Sequence, residues 1–145
     1  MVVINYPEPA FRMKKEDGKE FIFDSLRKKW ILLTPEEWVR QNFIQYLVLV
    51  KGYSPSLIAV EKEMKLGELK KRFDVLVYDN HHRPRLMIEC KAAEVKLDAT
   101  VLEQVLRYNI SIPVEYLIIT NGVQTYAWQR KEQGLCLIDD IPSKI

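Results

Sequence analysis

Two apolar runs, Arg72 to Tyr78 and Leu86 to Lys91, are separated by a short basic loop and followed by a helical stretch and a third apolar run. This succession narrows the folds open to the sequence to those with a sheet and a connecting helix. Phe73, Val75 and Val77 recur with the period of a strand that buries one face, and Leu86 to Lys91 reads as the next strand. Asp98 can cap a helix extending to about Asn109, and Pro113 limits it. Val114 to Thr120 and Val123 to Arg130 flank Asn121-Gly122, the best two-residue hairpin signal in the chain.

Upstream, the polar, Pro-containing segment 1–19 is expected to wrap the surface. Glu20 to Phe23 and Lys29 to Leu33 read as a hairpin turning at Asp24-Ser25. Thr34-Pro35-Glu36-Glu37 is a strong helix start: Thr34 caps, Pro35 suits the first turn, and Glu37 falls three residues after the cap. That helix should run to about Val50, with Trp38, Gln41, Phe43 or Ile44, Tyr46, Leu47 and Val50 on its apolar face. Leu57 to Glu63 reads as a further strand, and Leu135 to Ile138 as a short edge strand. The order of helix, three strands, helix and two or more strands predicts an α/β fold with a central mixed sheet flanked by helices.

At 145 residues and 48% hydrophobic, the chain suits one domain with a substantial core. Its apolar stretches are far too short for a bilayer, and a cytoplasmic location is expected. Cys90 and Cys136 are too few for a disulfide framework and form no CxxC pair. The net charge of +2 is weak support for a polyanionic partner, although Lys28-Lys29, Lys70-Lys71-Arg72 and Arg83/Arg85 are local basic clusters.

Glu-x-Lys occurs four times: Glu63 to Lys65, Glu68 to Lys70, Glu89 to Lys91 and Glu94 to Lys96. Only Glu89-Cys90-Lys91 lies in an apolar strand, follows another strand bearing an acid, Asp74, and precedes an amphipathic helix. Alternation along a strand turns Glu89 and Lys91 to the same side. Asp is disfavoured inside strands, which marks Asp74 between Phe73 and Val75. Adjacent strands would bring these groups together. Asp74, Glu89 and the backbone carbonyl of Cys90 form a hard-oxygen set suited to Mg2+ or Mn2+, and Lys91 can orient water or stabilise developing charge in phosphodiester hydrolysis. Gln104 and Tyr108, one helical turn apart, can hold a phosphate or support the site.

These motifs, in this order, resemble the PD-(D/E)xK nuclease superfamily, with Gln104 and Tyr108 matching the Q-x-x-x-Y extension of its exonuclease-like branch. Closer still, Arg72 to Asp79, Ile88 to Ala92, Gln104 to Asn109, Thr120-Asn121-Gly122 and Thr34 to Gln41 resemble the N-terminal nuclease domain of type I restriction enzyme R subunits. The resemblance spans roughly Phe21 to Trp128 and implies a restriction-endonuclease-like core, a divalent cation and DNA as substrate. It also implies that Asp74 and Glu89 bind metal, that Lys91 is catalytic, and that Gln104 and Tyr108 bind DNA or support the site. A first-helix acid is common in this superfamily. Glu37 is the candidate, against a plain capping-box role; Glu61 or Glu63 is a weaker option. Phe73 replaces the family's proline before the first acid, and no Gly-x-x-x-x-Gly-Lys-Ser/Thr phosphate loop occurs, so the motor of an R subunit is absent from the sequence. Targeting would then come from a partner protein or be relaxed, and a homodimer would permit double-strand cuts. The alternative is a non-catalytic DNA-binding or protein-interaction module that retains the nuclease fold.

Overall fold

In the computed structural model, which describes residues 1–144 without the side chain of Leu66, two sheets and two helices follow one another along the chain. Ile145, the last position of the expected domain, lies outside the described residues. Strands β1 (Met13–Glu16), β2 (Lys19–Asp24) and β3 (Lys29–Leu32) form a small antiparallel sheet. Residues 1–19 therefore contribute a strand as well as an extended lead-in, in which Val2 is buried and its N–H donates to the Thr125 carbonyl at 2.8 Å.

Helix α1 (Pro35–Leu49) starts as its capping residues dictate. Thr34 is extended, and its hydroxyl accepts from the Glu37 N–H at 3.0 Å. Trp38 stays partly exposed and Val50 about half exposed; the buried face is Val39, Phe43, Ile44, Tyr46 and Leu47. Each fully buried side chain of this size contributes roughly 1.5–3 kcal/mol. Helix α2 (Ala99–Asn109) is capped by Asp98, which accepts from the Val101 N–H.

The larger sheet holds β4 (Ile58–Leu66), β5 (Leu69–Tyr78), β6 (Pro84–Cys90), β7 (Tyr116–Thr120), β8 (Thr125–Lys131) and β9 (Gly134–Ile138), in that spatial order. All neighbours are antiparallel except β6 and β7, whose parallel pairing uses α2 as the crossover. The expected mixed sheet flanked by helices is thus present. Val75, Val77, Leu86, Ile88, Cys90 and Ile118 face α1, while Leu76, Met87, Leu117 and Ile119 pack with Val105 of α2. Phe73 does not follow Val75 and Val77 as alternation predicts; it joins Leu76 and Met87. The change falls at the one gap in the β4–β5 ladder, between Val60↔Val75 and Lys62↔Phe73, where Glu61 has a left-handed φ of 52°.

The Asn121-Gly122 turn is longer than a two-residue hairpin loop. Thr120 pairs with Thr125, and Asn121 Oδ1 accepts from the N–H groups of Val123 and Gln124. The Asn side chain, by bonding the following backbone, closes a four-residue connection. Among the described residues, no helix is long and apolar enough to cross a membrane.

Candidate active site

The site forms where β5 and β6 part company. Their ladder ends at Val75↔Ile88, whereas β6 stays paired with β7 through Cys90↔Thr120, extended by Lys91 N–H to the Thr120 carbonyl at 2.8 Å. Continuing the β5–β6 register by one position sets Asp74 opposite Glu89. The Cys90 N–H donates to Asp74 Oδ2 at 2.7 Å, so a carboxylate satisfies a backbone donor at the point where the ladder stops.

Glu89 and Lys91 project together, as strand alternation requires, with Lys91 Nζ 3.7 Å from Glu89 Oε1. They line a cleft of about 470 Å³ with Glu36, Gln104 and Tyr108. The sequence-expected Asp74, Glu89, Lys91, Gln104 and Tyr108 therefore gather at one end of the sheet. The Cys90 thiol points the other way into the α1-facing core, where burial raises its pKa and makes it a poor nucleophile. Tyr108 is held from beneath: Lys71 donates to its main-chain carbonyl and lies 4.3 Å from its ring centre.

Electrostatics divide the acids into two groups. Burial, and then the neighbouring Asp74 carboxylate, push Glu89 up from 4.5 to about 7. Asp74 is also raised, chiefly by burial, against the opposing effects of the Cys90 N–H, Arg40 and Lys91. Glu36 is raised by partial desolvation and by Asp74. Carboxylates that are buried and mutually repelling favour a proton or a cation between them. Asp24, Glu37 and Glu61 behave oppositely. Burial opposes their ionisation, but surrounding arginines and hydrogen bonds outweigh it and hold all three below their ordinary values.

The expectation for the first-helix acid changes accordingly. Glu37 is turned away from the cleft into a buried ionic cluster, accepting from Arg27 at 3.1 Å, Arg40 at 2.6 Å and Gln41 at 3.0 Å. It keeps half of the capping box, its own N–H donating to Thr34, while its carboxylate goes to the arginines. Glu36, the preceding residue, is the α1 acid that lines the cleft. Glu61 joins the same cluster through Arg27, Arg40 and Arg72, whereas Glu63 is an exposed partner of Lys70.

Arg40 was not legible as part of the site, although it follows Glu36 by one helical turn. It links the cluster to the cleft, with Nη1 3.6 Å from Asp74 Oδ1. That nitrogen is buried and has no hydrogen-bond partner among the described residues. Asp74 is thereby positioned between an arginine and a backbone N–H and retains lone pairs on both oxygens for a further ligand.

No group of three His, Cys, Asp or Glu side chains arranged to hold a metal ion occurs among the described residues. A set of two carboxylates, a backbone carbonyl and water is sufficient for Mg2+, which keeps much of its hydration. The raised pKa values of Asp74 and Glu89 fit a cation between them. A search of curated proteins returns no match. The family model of the type I restriction enzyme R protein N terminus matches residues 35–142, a span that contains both helices and every cleft residue, and the chain belongs to that family.

Proposed function

We propose that the chain is a divalent-cation-dependent DNA nuclease. The reading is carried by one observation: Glu89, Lys91 and Glu36 line one cleft with Gln104 and Tyr108, and Asp74 stands beside it, accepting from the N–H of Cys90 between Glu89 and Lys91. Asp74, Glu89 and the Cys90 carbonyl would hold Mg2+ or Mn2+, which supplies charge neutralisation at the phosphate and a more acidic water.

The chain's own residues supply the rest. Lys91, next to Glu89, places a positive charge where negative charge develops on the phosphate and can orient the attacking water. Arg40 and the Cys90 N–H fix Asp74, so that its carboxylate needs little rearrangement on binding. Glu36 is exposed at the cleft mouth, where it can accept a hydrogen bond from a water or add a carboxylate to the cation's surroundings. Gln104 and Tyr108 offer an amide and a phenol to the DNA backbone. Family membership supports a restriction-related domain, and DNA is the substrate that suits it.

Supercoiled plasmid with Mg2+ or Mn2+ tests the reading. Nicked or linear product should appear with either metal and vanish in chelator, and Asp74→Ala and Lys91→Ala should each slow it about 10²-fold or more. Product formed equally by both variants would assign the cleavage to another protein. DNA retention without any metal-dependent product would favour a non-catalytic binding module.

A further inference from the structure

The catalytic reading leaves the three-stranded sheet without a role, and the family match begins beyond it, at residue 35. Its register sets Lys14 opposite Phe21, Phe21 opposite Leu32, and Phe23 opposite Trp30. Arg12 stands across from Phe23, accepting that residue's N–H at 2.9 Å. Alternation collects these cations and rings on one face, while Ile22 and Asp24 are buried on the other.

On the open face, the Arg12 guanidinium lies 4.8 Å from the Phe23 ring centre and 5.5 Å from that of Trp30. Lys14 Nζ lies 4.6 Å from Trp30 and 5.9 Å from Phe21. Phe23 and Trp30 meet edge to face at 5.3 Å. Two recesses border these rings. One of about 370 Å³ is lined by Lys14, Glu16, Asp17, Lys19, Phe21 and Trp30. The other, of about 330 Å³, runs from Arg12 and Phe23 to Ile44 and Val48 of α1. The segment that builds this sheet is basic as a whole, with Arg12, Lys14 and Lys19 on the ring-bearing side. From Arg12 to Leu32, seven Lys or Arg stand against four Asp or Glu, an excess larger than the +2 of the whole chain, so the remainder is slightly acidic.

We propose that this face binds single-stranded nucleic acid, with bases stacking on Phe21, Phe23 and Trp30 and phosphates meeting Arg12, Lys14 and Lys19. Aromatic rings interleaved with cations serve a strand whose bases are free to stack; a duplex keeps its base faces closed. The rings are partly covered by the cations, and Lys14, on a flexible stem, can swing from Trp30 to a phosphate and expose the ring to a base. Its exposed ion pair with Glu16, at 3.1 Å, is weak and yields readily. Cations set directly on the rings, Arg12 and Lys14, favour a polyanion over an apolar protein partner. Binding at this face requires neither Asp74 nor a metal and is independent of the catalytic reading.

The test uses the full chain carrying Asp74→Ala, in chelator, with a labelled oligothymidylate and a duplex of equal length, followed by fluorescence anisotropy across a salt series. The single strand should bind more tightly than the duplex. Adding Trp30→Ala should weaken its binding about tenfold, and adding Lys14→Gln should lower the slope of log affinity against log salt by about 0.7. Trp30 is partly buried, so thermal unfolding accompanies each variant. If Trp30→Ala fails to fold, the Lys14→Gln slope decides alone. Absence of oligonucleotide binding, equal affinity for the duplex, or an unchanged salt slope in Lys14→Gln would overturn the proposal. Plasmid cleavage by the unsubstituted chain is read separately, so loss of one reading is not mistaken for loss of the other.

Discussion

Glu36 and Glu37 show how one helical step divides chemistry from architecture. Successive helix residues point about 100° apart, so only one of two adjacent acids can face the cleft. The pattern Thr34-Pro35-Glu36-Glu37 announces a helix start and two acids without saying which way either turns. The decision rests on Arg27 and Arg40, which draw Glu37 inward. Opposite outcomes follow for the two substitutions. Glu36→Gln should leave thermal stability within about 0.5 kcal/mol, as at an ordinary surface position, while lowering plasmid cleavage about 10²-fold if its carboxylate acts on water. Glu37→Ala should destabilise by about 3 kcal/mol, because the buried Arg40 and the partly buried Arg27 lose a shared partner. Thermal melts beside cleavage rates separate the two, and a stable but inactive Glu37→Ala would reverse the assignment. Asp74, Glu89 and Lys91 were legible because strand alternation and adjacency are local rules.

At the scale of elements, periodicity and capping marked both helices and most strands to within a few residues. Strand β1 escaped because Met13–Glu16 is exposed throughout and shows no buried face. The four-residue loop after β7 also departs from expectation, and its Asn side chain accounts for that. Asn121 accepts from two backbone N–H groups and donates to the Val95 carbonyl at 2.8 Å, tying the loop to the segment that leaves Lys91 for α2. Gly122 has φ +88°, and a Cβ there would lie 3.3 Å from Val39 Cγ2 on α1. Gly122→Ala should cost about 1–2 kcal/mol in urea denaturation from the left-handed backbone alone. Val39→Ala in the same chain opens the contact and should not restore that part. Asn121→Ala should cost about 2 kcal/mol, since the three hydrogen bonds from its side chain to part-buried backbone are lost. An unchanged denaturation midpoint in Gly122→Ala would contradict the loop conformation.

At the scale of the molecule, the features hardest to read from sequence are those that join distant positions. Asp24, Arg27, Glu37, Arg40, Glu61 and Asp74 form one ionic chain from the small sheet through α1 to the large sheet. Asp24 and Arg27, and Glu37 and Arg40, are each three residues apart, but no local periodicity joins the two pairs to each other or to Glu61 and Asp74. The chain ends at the two carboxylates raised by burial, and this fixes how stability should depend on pH and metal. In chelator, Glu89 favours its protonated form, so its stabilising contribution is complete below 4.5 and is lost as pH rises through about 7. That loss is at most about 3 kcal/mol, and Glu89→Gln should flatten this limb of the profile. A bound cation favours the ionised pair and therefore acts most strongly where the metal-free protein is weakest. A cation at a hundred times its Kd adds about 2.7 kcal/mol, equivalent to a rise in Tm of about 5 °C or more for a chain of this size. The rise should be greater at pH 8 than at pH 6, because binding at the lower pH must first displace a proton. Asp74→Ala should abolish it at both. Melting curves with Mg2+, Mn2+ and chelator at the two pH values measure this directly, and a Tm at pH 8 that neither cation moves would mean that these carboxylates hold no metal.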